Sequence, residues 1–148
     1  MREIVGDIWT VKSDWRVIPT NGSVNRSGLA VMGRGVALQA AKRYPDVPRR
    51  LGAFLLRHGN TLTTFAEHRL VAFPVKRLWH ERAAVALISQ SAAHLRFQWK
   101  AGYITGVVAL PRVGCGNGRL EWGAVRPILE RFLPEDNFVV VSLPGEDG

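Results

Sequence analysis

Two glycine-punctuated segments, each leading into an amphipathic stretch, carry the residue types best suited to holding an anion. The first, Gly28-Leu29-Ala30-Val31-Met32-Gly33-Arg34-Gly35, runs into a helical pattern that begins near Val36. Glycine lets the backbone come close to a ligand, and the unsatisfied N–H groups at a helix start attract phosphate. Arg34 adds a cation between two glycines. The segment has neither the Gly-Lys-Ser/Thr of a Walker loop nor G-x-G-x-x-G spacing, and by itself it reads equally well as a turn followed by a helix cap. The second segment runs from Pro111 to Trp122 and places Gly114, Gly116 and Gly118 around Cys115 and Asn117. Three glycines in five residues exceed what a turn needs, and successive N–H groups in such a run form an anion nest. Two cradles on one edge of a sheet suit a diphosphate.

Other polar residues stand at the ends of apolar runs. Asp7 follows Gly6 inside the first run, where a carboxylate is costly unless it accepts hydrogen bonds, for instance from a ligand amino group; a capping or surface position is the alternative. Asn21, in Pro19-Thr20-Asn21-Gly22, ends the second run and also reads as an Asn-Gly turn. Lys76 closes Phe73-Pro74-Val75-Lys76 on the same edge. With Arg77 and Arg34 as neighbours its pKa has reason to fall, which suits a nucleophile or base, although most such lysines are simply solvated. Cys115 reads as a small buried residue, because no His–Asp set lies near it in sequence. His80 and His94 lack metal-ligand spacing and read as structural.

The elements that must position these residues follow from the pattern. Glu3 to Trp9, Arg16 to Pro19, Thr61 to Phe65, Arg69 to Val75, Ile104 to Pro111 and Asn137 to Leu143 read as strands. Val107-Val108-Ala109-Leu110 and Phe138-Val139-Val140-Val141 are continuously apolar, as expected of strands covered on both faces. Helical stripes occupy Gly35 to Tyr44, a segment starting at Asp46-Val47-Pro48 and stopping at Gly59, Glu81 to Trp99, and Glu121 to Phe132. The order predicts a three-layer α/β/α sandwich with a mixed central sheet, in which ligands sit beyond the strands' carboxyl ends.

Composition narrows the function classes. The 148 residues fit one domain, since domains run about 100 to 200 residues. A single cysteine excludes an intramolecular disulfide and a thiolate cluster, which fits a reducing cytoplasm. The charged start Met1-Arg2-Glu3 is unlike a signal peptide, and no run approaches about 18 apolar residues, so no membrane span is expected. The 20 Lys and Arg against 12 Asp and Glu leave a net charge of +8, which speaks for solubility or for a polyanionic partner.

Taken together, these motifs resemble the macrodomain family of ADP-ribose-binding modules over nearly the whole chain. Val5-Gly6-Asp7-Ile8 resembles its opening strand motif, Pro19-Thr20-Asn21-Gly22 its asparagine loop, Ala30 to Gln39 its first phosphate loop, and Pro111 to Trp122 its second. Phe73 to His80 and Gly114 to Trp122 are most similar to the antitoxin macrodomains that remove ADP-ribose from thymidine in DNA. They also resemble hydrolases that release it from protein carboxylates.

The resemblance implies a single macrodomain over residues 1–148 that hydrolyses ADP-ribose from modified nucleic acid or a related acceptor. A non-catalytic reader and an ADP-ribose 1″-phosphate phosphatase are the alternatives. It further implies that Asp7 binds the adenine amino group with Ile8 beside it. Met32, Gly33, Arg34, Gly35 and Val36, with Gly114, Cys115, Gly116, Asn117 and Gly118, hold the diphosphate. Asn21 faces the distal ribose, and Lys76 is the catalytic side chain. Neither metal nor cofactor is implied; the implied partners are single-stranded DNA and a cognate ADP-ribosyltransferase toxin. Some lysine-using relatives carry an aspartate where this chain has Gly118, so no Lys–Asp pair is expected, and no residue matches the aromatic that often covers the adenine.

Overall fold

The structure, a computed structural model, describes residues 1–146. Six strands form one sheet: β1 (Arg2–Val5), β2 (Trp15–Asn21), β3 (Thr63–Phe65), β4 (Leu70–Lys76), β5 (Val108–Leu110) and β6 (Phe138–Ser142), in the order β1-β6-β5-β2-β4-β3. All neighbours pair in parallel except β3 with β4. The helices are α1 (Gly35–Arg43), α2 (Val47–His58), α3 (Val85–Lys100) and α4 (Trp122–Phe132). The sandwich with a mixed sheet predicted from the sequence is therefore the fold observed.

Alternation along the central strands explains the three layers. Val17, Phe73, Leu110, Phe138 and Val140 face one side, where Ile88, Ala92 and Leu95 of α3 and Val125 and Leu129 of α4 cover them. Ile18, Leu70 and Ala72 face the other, against Ala40 of α1 and Val47, Leu51 and Leu55 of α2. Ile8, Ala109, Val139 and Val141 extend that second core beneath the first turn of the chain. Because both faces of β6 are covered, all five of its residues are buried, as a continuous apolar run requires.

Element boundaries moved where side chains capture the backbone. The first strand stops at Val5 rather than Trp9: Gly6 N–H still donates to Ser142 O at 2.8 Å, and then Thr10 and Val11 N–H turn back onto Asp7 O at 3.0 Å each. The fifth strand starts at Val108 instead of Ile104, because Val107 N–H donates to Asp14 Oδ2 at 2.8 Å. α3 starts at Val85 instead of Glu81; Glu81 Oε1 accepts Leu78 N–H at 3.2 Å and closes a turn ahead of the helix. No helix among the described residues is long and apolar enough to cross a membrane.

Phe138 is fully buried between the sheet and α3, its ring 5.1 Å from that of Trp99. Phe138→Ala is expected to cost roughly 3–5 kcal/mol in urea unfolding, the usual range for emptying an aromatic core site. A loss below about 1 kcal/mol would mean that the core lies elsewhere.

Candidate functional site

A cavity of about 1050 Å³ opens beyond the carboxyl ends of the parallel strands, where sheets of this kind bind ligands. Its walls come from the turn after β1, the end of β2, the loop into α1, the end of β4, the loop after β5 and the segment after β6. Among the described residues, Arg34, Arg43, Lys76, Arg112 and Arg119 line it against two carboxylates, Asp7 and Glu146. That balance suits an anionic ligand.

At the β1 end the turn is built around one arginine. Arg16, in β2, donates from Nε to Ile8 O at 2.7 Å, and from one terminal nitrogen to Val11 O at 2.9 Å and Trp9 O at 3.3 Å. Three carbonyls left without strand partners are thereby satisfied by a single guanidinium. Asp7 is exposed on this turn, not inside a strand, and its Oδ1 accepts Trp9 N–H at 2.9 Å. Ile8 is 5% exposed and anchors the turn in the core. Trp9 lines the cavity with its Nε1–H donated to Gln39 Oε1 at 2.8 Å and the Arg43 guanidinium 4.5 Å above its ring.

The first glycine loop is tied to β2 by Asn21. Its Nδ2 donates to Val31 O at 3.0 Å, and its Oδ1 accepts Ser23 N–H at 2.9 Å. Met32 is buried, so the loop is pinned on its inner side while Gly33, Arg34 and Gly35 are exposed along the cavity. α1 follows with Arg34 as an extended cap that makes no side-chain capping bond, and with no acid in the first turn. The positive end of the helix therefore faces the cavity without an internal anion.

The second loop doubles back on itself. Gly118 packs so closely on Gly114 that a Cβ at position 118 would stand 2.4 Å from Gly114 O. Gly114 O also accepts Leu120 N–H at 2.9 Å, and Gly118 O accepts Ala83 N–H at 3.0 Å. An aspartate at this position would not fit, which is the physical reason for the missing carboxylate. The two loops meet: a Cβ on Gly35 would lie 3.4 Å from Asn117 Nδ2. Gly33 and Gly116 differ from these. Neither has a positive φ, and added Cβ atoms there would meet nothing within 4 Å. Nothing in the protein demands glycine at either, and both line the cavity.

Lys76 stands at the end of β4. Asn60 Nδ2 donates to its carbonyl at 2.9 Å, and its own Nζ donates to Trp79 O at 3.3 Å. Partial burial, then the nearby Arg119 and Arg34 charges, push its pKa below the usual 10.5. Arg119 adopts left-handed backbone, with φ 64°, and donates to His80 O at 3.2 Å across the cavity rim.

No protein-family model matches the sequence. Among curated proteins the chain is 29% identical over 135 residues to a DNA ADP-ribosyl transferase–DNA ADP-ribosyl glycohydrolase fusion protein of Thermosipho africanus; the match covers 75% of this chain and 34% of the relative. The chain thus spans about a third of that relative's length. Among solved structures, the macrodomain of Mycobacterium tuberculosis DarG superposes with a TM-score of 0.79 at 24% identity, over 98% of this chain and 97% of that one. Thermosipho africanus DarTG in complex with ADP-ribose gives 0.80 at 22%, over 99% and 42%. The macrodomain of Thermus aquaticus DarG gives 0.74 at 23%, over 96% of each chain. The chain has a macrodomain fold.

Of the residues that the resemblance assigned to ligand binding or catalysis, the fold brings all but Cys115 to one cavity. Cys115 lines a separate recess of about 270 Å³ with Leu120 and Trp122. Its N–H is committed to Arg112 O at 3.1 Å, and burial pushes its thiol up to about 11, so it is neither a cradle donor nor a nucleophile. His80, read as structural, is exposed on the cavity wall, whereas His94 stands apart against Thr61. Trp9 was missed; its adjacency to Asp7-Ile8 was the available signal. Among the described residues, Asp46, Glu67 and His68 form the one group with metal-ligand types. The Arg50 guanidinium pairs with both carboxylates and His68 Nε2 lies 2.9 Å from Asp46 Oδ2, so a cation already fills that group.

The tight second loop gives a direct check. Gly118→Ala is expected to destabilise the protein by roughly 1–3 kcal/mol through overpacking against Gly114, read from denaturant midpoints. An unchanged midpoint would show that the loop has room to move.

Proposed function

We propose that this chain binds ADP-ribose along the cavity and hydrolyses it from modified nucleic acid, with thymidine-linked ADP-ribose in DNA as the substrate class. One observation carries the reading: two loops that present glycines with no internal need for glycine, at Gly33 and Gly116, converge beside the amine of Lys76. Glycine at such positions clears room for a ligand against the backbone. The name of the Thermosipho africanus relative, a DNA ADP-ribosyl glycohydrolase fused to a DNA ADP-ribosyl transferase, supports both the reaction and a cognate transferase as partner.

In this reading Asp7 accepts the adenine amino group beside Ile8 and Trp9. Backbone N–H groups at Gly33 to Val36 and at Gly116 to Gly118 take the diphosphate, with Arg34 as counter-charge. Asn21 stands near the distal ribose as the residue that fixes the first loop. Cleaving the glycosidic bond builds positive charge at the anomeric carbon. The lowered pKa of Lys76 enlarges the fraction of neutral amine, which favours attack on that carbon: the bond to Lys76 forms as the glycosidic bond breaks, and the base leaves and takes a proton from water. Water then hydrolyses the lysine adduct, which frees ADP-ribose and restores the amine. Gly118 gives a specific reason for a second reading, an ADP-ribose reader without turnover, because it denies Lys76 a carboxylate partner in the second loop.

Gly33→Val is expected to leave stability within about 0.5 kcal/mol, as exposed substitutions do, while ADP-ribose affinity falls at least roughly tenfold. Unchanged affinity would remove the first loop from the site.

Incubated with thymidine-ADP-ribosylated single-stranded DNA, the protein is expected to release ADP-ribose, and Lys76→Ala to abolish release while still binding ADP-ribose. Because the neutral amine attacks, kcat/KM should rise with pH and level off below pH 10.5, the ordinary lysine value. A profile that falls over that range would make Lys76 an acid; binding without any release by the unaltered protein would select the reader.

A further inference from the structure

Beyond Lys76, the cavity rim carries an exposed aromatic surface. Trp79 lines the cavity yet is 53% exposed. Its backbone is held from both sides: its N–H donates to Ser23 Oγ at 3.0 Å, and its carbonyl accepts the Lys76 Nζ at 3.3 Å. The His80 ring stands T-shaped against the indole at 5.4 Å. Around it are Lys76, Arg77, Arg82 and Arg119, and the one acid of the segment, Glu81, is already paired with Arg77 at 2.6 Å. A large exposed indole fixed on a basic rim has the makings of a stacking platform for a base whose backbone is anionic.

We propose that Trp79 binds the nucleobase of the acceptor: the base joined to ADP-ribose stacks on the indole and so presents its glycosidic bond to Lys76. The proposal rests on the reading that ADP-ribose lies along the cavity, and it names the acceptor side of that site. A base inside a duplex is covered on both faces by its neighbours, so the acceptor must be unpaired or flipped out. An aspartyl or glutamyl ester has no flat face to offer, and the basic rim matches a nucleic acid backbone. The Lys76–Trp79 hydrogen bond couples platform and amine, so the stacked base is registered against the reacting group. Trp79 is thus a positioning residue that selects a nucleotide acceptor.

The test separates acceptor binding from ADP-ribose binding. In a Lys76→Ala background, which preserves the substrate, affinities for free ADP-ribose and for a thymidine-ADP-ribosylated single-stranded oligonucleotide are compared by calorimetry. The modified oligonucleotide is expected to bind roughly tenfold or more tightly than free ADP-ribose. Adding Trp79→Ala should erase that advantage and leave free ADP-ribose affinity within about twofold, while Trp79→Phe, which keeps an aromatic face, should retain most of it. With Lys76 present, Trp79→Ala should raise KM for the oligonucleotide more than it lowers kcat. An undiminished advantage in Trp79→Ala, or an equal loss for free ADP-ribose, overturns the proposal. Failure of the Lys76→Ala parent to bind free ADP-ribose would instead overturn the cavity reading beneath it.

Discussion

Five strands run the same way, β1, β6, β5, β2 and β4, and they end on one edge of the sheet. Every feature of the cavity depends on that alignment. It brings the turn after β1, Asn21, Lys76 and the loop after β5 to a common edge, although they are spread across more than a hundred residues of chain. It also sets the start of α1 at that edge with its unpaired N–H groups outward. A parallel sheet must be covered on both faces, so the same constraint that produces the site explains the continuous apolar strands and the four helices.

Loops at such an edge leave backbone groups without ladder partners, and the chain satisfies them with few side chains. Arg16 takes three carbonyls of the turn carrying Asp7; Asn21 bridges β2 to the first glycine loop; Asn60 holds the carbonyl of Lys76. These side chains act as scaffold, leaving Arg34, Arg43 and Lys76 at the cavity surface. The net charge of +8 accordingly has two parts. Basic groups line the cavity, where partial burial and then the Arg119 and Arg34 charges lower the proton affinity of Lys76, while Arg77 and Arg82 extend the positive field onto the rim around Trp79.

The order of elements and the two loops were legible from period and punctuation, because apolar alternation and glycine spacing are local signals. What escaped was set by contacts distant in sequence. Asp7 lies beyond β1 because Arg16, nine residues on, captures the carbonyls that would have continued the strand. Trp9 reaches the cavity through Gln39 and Arg43 of α1, a pairing that no spacing reveals. Cys115 sits between two cradle glycines, yet the loop's fold onto Gly114 turns it to a separate recess. Gly118 reads from the sequence as a third cradle glycine; the close approach to Gly114 is what makes glycine obligatory there.

The central claim is that both glycine loops grip one ligand. Titrating ADP-ribose into isotope-labelled protein while following amide resonances reads this directly, since glycine amides are resolved and report on N–H groups. Resonances of Gly33 to Val36 and of Gly116 to Gly118 should shift together with a single saturation curve, and those of Phe97 and Tyr103, exposed around the end of α3, should stay still. Shifts confined to one loop, or none at saturating ADP-ribose, would contradict the account.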